Sequence, residues 1–262
     1  MDGLSVHYYA GVEKGIHKGS ATDFDEAVWF NTLARALYIE EVLTRHSAIM
    51  DTYDPEKKIG MMVDEWGCWH DVEPGTNPGF LYQQNTMRDA LTAGVSLNIF
   101  NKHCDRIKMA CIAQIVNVLQ SVILTEGKKM LLTPTYHVFH MYKHHQDAEL
   151  VESWLEGAGK IGLKEQEMVP DVQESVSVDK DGVLTITLNN LSPEEERQME
   201  VVLTKKEPSR IEAKIVRGRM QSYNTFEEPE QVKEEAFTQI QVTDRGLSFT
   251  MPACSVMMIR VK

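Results

Sequence analysis

Apolar positions follow two different rhythms along this chain. In the first part, short apolar runs alternate with longer stretches where apolar residues return every three or four positions. Residues 4–9 (Leu-Ser-Val-His-Tyr-Tyr) are rich in β-branched and aromatic side chains and read as a strand. Thr22, Asp23, Asp25 and Glu26 then supply a cap and an acidic first turn. Phe24, Ala27, Val28, Leu33, Leu37 and Leu43 continue one helical stripe to about Met50. Residues 58–63, just after Pro55, form a second short apolar run and predict a buried strand. A second helix is expected from Phe80 to about Cys104, although the run 95–100 fits a strand equally well by periodicity. Residues 106–113 predict a third strand. A short apolar stretch at 122–124, a loop around Gly127 and a helix opened by Pro134 and ending near Tyr142 follow. Strands and helices in this order imply parallel strands joined by crossover helices.

The rhythm changes after about residue 150. Runs at 176–178, 184–188, 199–203, 211–216, 237–242, 247–249 and 256–261 are short and alternate apolar with polar. Turn sequences such as Asp179-Lys180-Asp181-Gly182 and Arg245-Gly246 separate them. That texture predicts an antiparallel β-sandwich. The expected organisation is an α/β unit over residues 1–145 and an all-β unit over 146–262.

Charge narrows the partners. Lys and Arg total 27 against 39 Asp and Glu, a formal charge of −12 in 262 residues. This argues against nucleic acid or an anionic membrane as a partner, since both require clustered positive charge. No run reaches the roughly 18 apolar residues of a membrane span. Cys68, Cys104, Cys111 and Cys254 show no C-x-x-C spacing, so four free thiols are the default reading. His137, His140 and His144 fall on one helical face, a spacing compatible with metal ligation. No carboxylate within the pattern completes a site, so a solvated helix face is the preferred reading, and no metal or other cofactor is expected.

The candidate chemistry lies at 64–66. The buried strand at 58–63 runs directly into Asp64-Glu65-Trp66. A buried parallel strand ending in carboxylates is how an α/β barrel presents catalytic groups at the C-terminal face of its sheet. Carboxylates beside aromatic rings suit glycoside hydrolysis, which uses one as nucleophile and a second carboxyl as proton donor. His7 and Tyr9 lie two apart and so share one face of the first strand.

On these residues the chain resembles glycoside hydrolase family 51, the α-L-arabinofuranosidases. Residues 2–9 resemble the sixth barrel strand of that family. Val63-Asp64-Glu65-Trp66-Gly67-Cys68-Trp69 resembles the seventh, and residues 105–118 the eighth. Asn224-Thr225-Phe226-Glu227 with Pro229, and residues 251–256, are similar to motifs of its sandwich domain. The resemblance implies a partial (β/α)8 barrel followed by an antiparallel β-sandwich, and retaining hydrolysis of terminal α-L-arabinofuranosyl units from arabinan, arabinoxylan or their oligosaccharides. Carried over, Glu65 is the nucleophile. His7 and Tyr9 line the arabinose pocket, Trp69 is an aromatic beside it, Gln114 is a hydrogen-bonding residue at the end of the eighth strand, and Asp64 supports the site. It also implies a hexameric homo-oligomer and a cytoplasmic location.

One departure stands out. The family's acid/base is a Glu following an Asn on the fourth strand, and no Asn-Glu dipeptide occurs in these residues. The acid/base is therefore expected to be absent from this chain. A non-catalytic carbohydrate- or partner-binding fragment is the alternative reading.

Overall fold

The computed structural model describes residues 1–11, 18–164, 167–204 and 208–262. The first half holds strand β1 (Gly3–Ala10), helices α1 (Glu26–Leu37) and α2 (Ile39–Tyr53), strand β2 (Gly60–Cys68), helix α3 (Met87–Lys102), strand β3 (Ile107–Ile112), a hairpin of β4 (Ile123–Glu126) and β5 (Lys129–Leu132), and helix α4 (Pro134–Tyr142). Strands β1, β2 and β3 form one parallel sheet in that order, which is a barrel segment rather than a closed barrel.

The expected helix to Met50 is two helices. The chain turns at Tyr38, whose N–H returns to the carbonyls of Ala34 and Arg35. The apolar stripe crosses this turn without interruption, so periodicity does not reveal it. The N-cap is Asp25, whose side chain accepts from Val28 N–H. Helix α3 starts at Met87 rather than Phe80, because residues Pro78–Phe80 form a separate 3-10 turn. Thr86 and Asp89 close a capping box at its start. Residues 95–100 lie inside this helix, which closes the strand alternative.

The second half is a sandwich. In chain order its strands are β6 (Glu149–Leu150), β7 (Lys160–Ile161), β8 (Val169–Pro170), β9 (Val172–Val178), β10 (Leu184–Asn190), β11 (Arg197–Val202), β12 (Ile211–Arg217), β13 (Glu235–Ala236), β14 (Gln241–Thr243), β15 (Gly246–Met251) and β16 (Ser255–Val261). One sheet has the order β13-β12-β16-β10-β9-β6, and a second has β11-β15-β14. Leu188, Ile215, Leu247, Phe249, Met257 and Ile259 fill the core between them. The run 237–242 is not one strand. The chain there leaves the first sheet, where β13 pairs with β12, and enters the second, where β14 pairs with β15. Phe237 fills the core at the crossing.

Helix α3 joins the halves and has most of its surface buried. One side carries Leu91 and Val95 in the core beneath the parallel sheet. On the sandwich side, Asn98 Nδ2 donates to Gln173 Oε1 at 3.0 Å and Thr187 Oγ1 donates to Asn98 Oδ1 at 2.7 Å. Lys102 Nζ reaches Glu174 Oε1 at 2.8 Å. Trp29 of α1 is fully buried and donates its indole N–H to Leu191 O at 3.1 Å. These contacts make the sandwich the platform on which the parallel sheet stands.

Candidate active site

The site forms where β1 and β2 end. Their parallel register pairs Ser5 with Met62 but His7 with Glu65, so two steps along β1 oppose three along β2. The same extra residue appears against β3, where Val63 pairs with Ala110 and Trp66 with Ile112. In a regular strand, Asp64 and Glu65 point to opposite faces. The bulge brings both carboxylates toward one imidazole: His7 Nε2 lies 3.3 Å from Asp64 Oδ1, and His7 Nδ1 lies 3.4 Å from Glu65 Oε2. Below the bulge Val63 is fully buried. Trp66 lies edge-on to Phe100 and stacks on Phe139 with centroids 5.1 and 6.0 Å away. That packing fixes the backbone from which the carboxylates project.

Tyr9 Oη donates to Glu65 Oε1 at 2.6 Å. Burial and this bond to the carboxylate push the Tyr9 phenol well above its ordinary pKa, so it keeps its proton and remains a donor. Ser5 Oγ donates to Asp64 Oδ1 at 2.7 Å. That bond, with help from His7, holds Asp64 below the usual carboxylate range. The Trp69 ring meets Tyr9 edge-on at 5.1 Å. Four of the expected residues, His7, Tyr9, Glu65 and Trp69, thus form one contiguous group. Gln114 lies two residues past the end of β3, at the same end of the sheet, with an exposed side chain. Its N–H donates to Val118 O and its carbonyl accepts from Val122 N–H, so its backbone shapes the turn after β3.

A buried polar network beneath the site was not legible in the sequence. Gln120 Oε1 accepts from Cys68 N–H at 2.7 Å, and Gln120 Nε2 donates to Asp89 O at 2.6 Å. This side chain fastens the end of β2 to the start of α3. It also lies 3.0 Å from where a Cβ on Gly67 would stand, at a backbone φ of +140°, so glycine suits that position on both counts. Gln83 Oε1 accepts from His70 N–H. Arg88 Nη2 donates to Ser20 O and Ala21 O, each at 3.1 Å, and lies 2.9 Å from His70 Nε2, which is itself 3.2 Å from Asp89 Oδ1; these contacts tie the loop after β1 to the loop after β2.

Among the described residues, one group has metal-ligand chemistry: buried Cys68, His70 and Asp89, with ligand atoms within 4.8 Å of one another. Arg88 already directs its guanidinium at the His70 nitrogen. Burial, then the Asp89 charge, pushes the Cys68 thiol up. Burial and the Arg88 charge keep the His70 pKa low. A neutral thiol beside a fixed cation fits a hydrogen-bonded network better than a metal site. One histidine of α4 meets a carboxylate from outside the spacing pattern. His140 Nδ1 lies 2.7 Å from Glu234 Oε2, brought from far along the chain. Lys143 Nζ takes the other ring nitrogen at 2.8 Å, and Lys214 Nζ takes the other oxygen of Glu234 at 2.6 Å. The result is a bridge between α4 and the sandwich.

A sheet end of this kind, backed by a sandwich, defines an architecture shared with solved glycosidases. A family 51 arabinofuranosidase from Xanthomonas axonopodis pv. citri superposes with a TM-score of 0.96 at 43% identity, covering 100% of this chain and 53% of that one. A family 51 α-L-arabinofuranosidase from Bifidobacterium longum, at 21% identity, shares the fold with a TM-score of 0.81 over 100% of this chain and 53% of its own. Residues 64–255 match the α-L-arabinofuranosidase C-terminal domain model, and the chain belongs to that family. A Bacteroides ovatus protein called an intracellular exo-α-L-arabinofuranosidase is 43% identical over 100% of this chain and 51% of its own length. The chain therefore spans about half the length of that relative.

Proposed function

We propose that this chain carries the nucleophile side of a retaining exo-α-L-arabinofuranosidase site, acting on terminal non-reducing arabinofuranosyl units of arabinose-containing polysaccharides or oligosaccharides. The observation that carries the reading is Glu65 at the strand end, with Tyr9 donating to one oxygen and His7 beside the other. These contacts hold the carboxylate in one orientation at the sheet end, and a positioned carboxylate is what a retaining mechanism requires of its nucleophile. Glu65 attacks the anomeric carbon. The bond to the leaving oxygen breaks with its electron pair, and a glycosyl ester forms. Water then attacks the same carbon, gives its proton to the second carboxyl group left ionised by the first step, and releases Glu65.

The leaving oxygen needs a proton, which a second carboxyl about 5 to 5.5 Å from the nucleophile supplies in retaining enzymes. By the family pattern that group is a Glu after an Asn, a dipeptide these residues do not hold. His7, Tyr9, Trp69 and Gln114 bind the sugar, while Asp64 holds His7. The two units are residues 1–145, the C-terminal part of the barrel, and 146–262, the sandwich. The hexameric assembly implied by the family resemblance and the cytoplasmic location suggested by the name of the Bacteroides ovatus relative belong to the same reading. The test is a mechanism-based arabinofuranosyl inhibitor applied to the full-length protein, followed by peptide mapping. A label on the peptide containing Glu65 supports the reading, and a label on another carboxylate overturns it.

A further inference from the structure

Among the described residues the Trp69 ring meets Tyr9 and Lys18, and only Tyr9 belongs to the group around Glu65. Beside the Tyr9 ring stands Lys18, whose Nζ lies 4.8 Å from the centroid of the Trp69 ring. An ammonium at that range is attracted to the negative face of an indole, most strongly where water is partly excluded. Trp69 is half-buried. The rest of Lys18 is fixed as well. Its backbone N–H donates to Asp71 Oδ1 at 3.1 Å, and Asp71 N–H donates to Gly19 O at 2.9 Å. Asp71 stands two residues after Trp69, so the residues that clamp Lys18 and the ring that Lys18 covers belong to one short segment. Gly19 has a φ of +79°, the left-handed conformation that glycine adopts readily, and so turns the chain directly after Lys18. Arg88 bonds the carbonyls of Ser20 and Ala21 from below, fixing the next part of the same loop.

We propose that Lys18 is a positioning residue that sets the Trp69 ring, and through it the Tyr9 side of the sugar pocket. The role follows from a chain of contacts: Lys18 over Trp69, Trp69 edge-on to Tyr9, and Tyr9 hydrogen-bonded to Glu65. Lys18 touches no reacting atom in this scheme. Its effect passes through a ring whose orientation matters to how tightly the sugar is held. The inference rests on the glycosidase reading above.

The experiment uses the full-length protein and an aryl α-L-arabinofuranoside. Hydrolysis by the unsubstituted protein is measured first. Its absence counts against the glycosidase reading, whereas the Lys18 question is settled by differences between active variants. Lys18→Met keeps most of the stem and removes the charge. It is expected to raise KM by about 3- to 10-fold while kcat changes by less than about 2-fold, in keeping with one cation–π contact. Lys18→Arg, which also places a cation over an indole, is expected to restore most of the lost affinity. In a Trp69→Phe background the effect of Lys18→Met should shrink, because its target ring is weaker. Trp69 emission, read as the difference between variants with and without Trp69, should shift in Lys18→Met. An unchanged KM and emission would overturn the proposal. An equal KM effect with and without Trp69 would also overturn it, since Lys18 would then act on the substrate directly.

Discussion

Tyr9 Oη stands 2.6 Å from Glu65 Oε1, and this bond joins two residues 56 apart in sequence, one on β1 and one on β2, at the point where chemistry is expected. A hydrogen bond to a charged group contributes about 1.5–3 kcal/mol. Because the bond orients Glu65, Tyr9→Phe should lower kcat by roughly 10- to 100-fold on an aryl arabinofuranoside. The melting temperature should hold, because the ring and its contact with Trp69 remain. A variant with unchanged kcat would show that the bond plays no part in turnover.

Replacing Glu65 itself is the stronger test. Glu65→Ala should reduce turnover by about three orders of magnitude or more, as loss of a covalent nucleophile does. The side chain is partly exposed at a strand end, so the fold should survive, and circular dichroism with a thermal melt checks that. Azide added to the variant can enter the gap left by the carboxylate and attack the sugar directly. Recovery of activity with an arabinosyl azide of inverted configuration would confirm the role, and full activity without azide would refute it.

Asp64 occupies a different place from its neighbour. It is held by Ser5 and faces the other nitrogen of His7. Asp64→Asn keeps the shape and removes the charge that orients His7. The expected loss is smaller than for Glu65, about 3- to 30-fold in kcat/KM, in line with one partly exposed charge-assisted contact. A loss as large as that of Glu65→Ala would move the nucleophile assignment to Asp64.

The fold class was legible because the two rhythms of apolar residues follow directly from burial: crossover helices on parallel strands, and alternation in the sandwich. The strand 107–112 and the helix from Pro134 were plain for that reason. The β2 bulge was not, because nothing in Val63-Asp64-Glu65-Trp66 announces that two adjacent acids will face one histidine. The start of α3 carried a readable signal in Thr86 and Asp89, which the apolar residues Phe80 and Leu81 upstream obscured. Gln120 and Arg88 were invisible as partners of Cys68 and His70, since their contacts depend on the tertiary fold. Lys18 lay in a loop with no periodicity at all.

The bonding at His145 makes the stability of the chain depend on pH. Thr187 Oγ1 donates its proton to Asn98 Oδ1, so toward His145 Nε2, 3.0 Å away, it acts as acceptor. The ring proton then sits on Nε2, and Nδ1 accepts from Ser177 Oγ at 2.7 Å. A second proton would charge a mostly buried ring and force the Ser177 hydroxyl to turn and accept, and burial lowers the His145 pKa to about 4. In the unfolded chain the ring titrates near about 6.5. Between these values the unfolded state binds more protons than the folded one. Stability is therefore complete above about pH 6.5 and falls as pH drops toward about 4, by a total on the order of 2–3 kcal/mol. Melts from pH 4 to 7 should show this slope, and His145→Gln should flatten it. An equal slope in the variant would assign the effect to other groups.

Gly94 offers a test of the joint between the two halves. In an exposed helix interior, alanine is favoured over glycine by about 1 kcal/mol. Here a Cβ on Gly94 would fall within clashing distance of Asn189 Oδ1 and 3.0 Å from its Cγ. Asn189 cannot easily withdraw, because its Nδ2 donates to Gln173 Oε1 at 3.0 Å, and Gln173 Nε2 donates in turn to Val95 O. Tyr142 Oη adds a bond to the Gly94 carbonyl at 3.2 Å. The sheet and helix backbones are thus locked at close approach, and overpacking such a position costs about 1–3 kcal/mol. Gly94→Ala is therefore expected to lower the melting temperature despite its better helix propensity. The paired substitution Gly94→Ala with Asn189→Ala should remove the clash but also remove the Asn189 bonds to Gln173 Oε1 and Tyr142 Oη, and so recover only part of the loss. A Gly94→Ala variant as stable as the original would mean that α3 and β10 can separate by a few tenths of an ångström at no cost, and that the sandwich holds the parallel sheet less rigidly than these contacts imply.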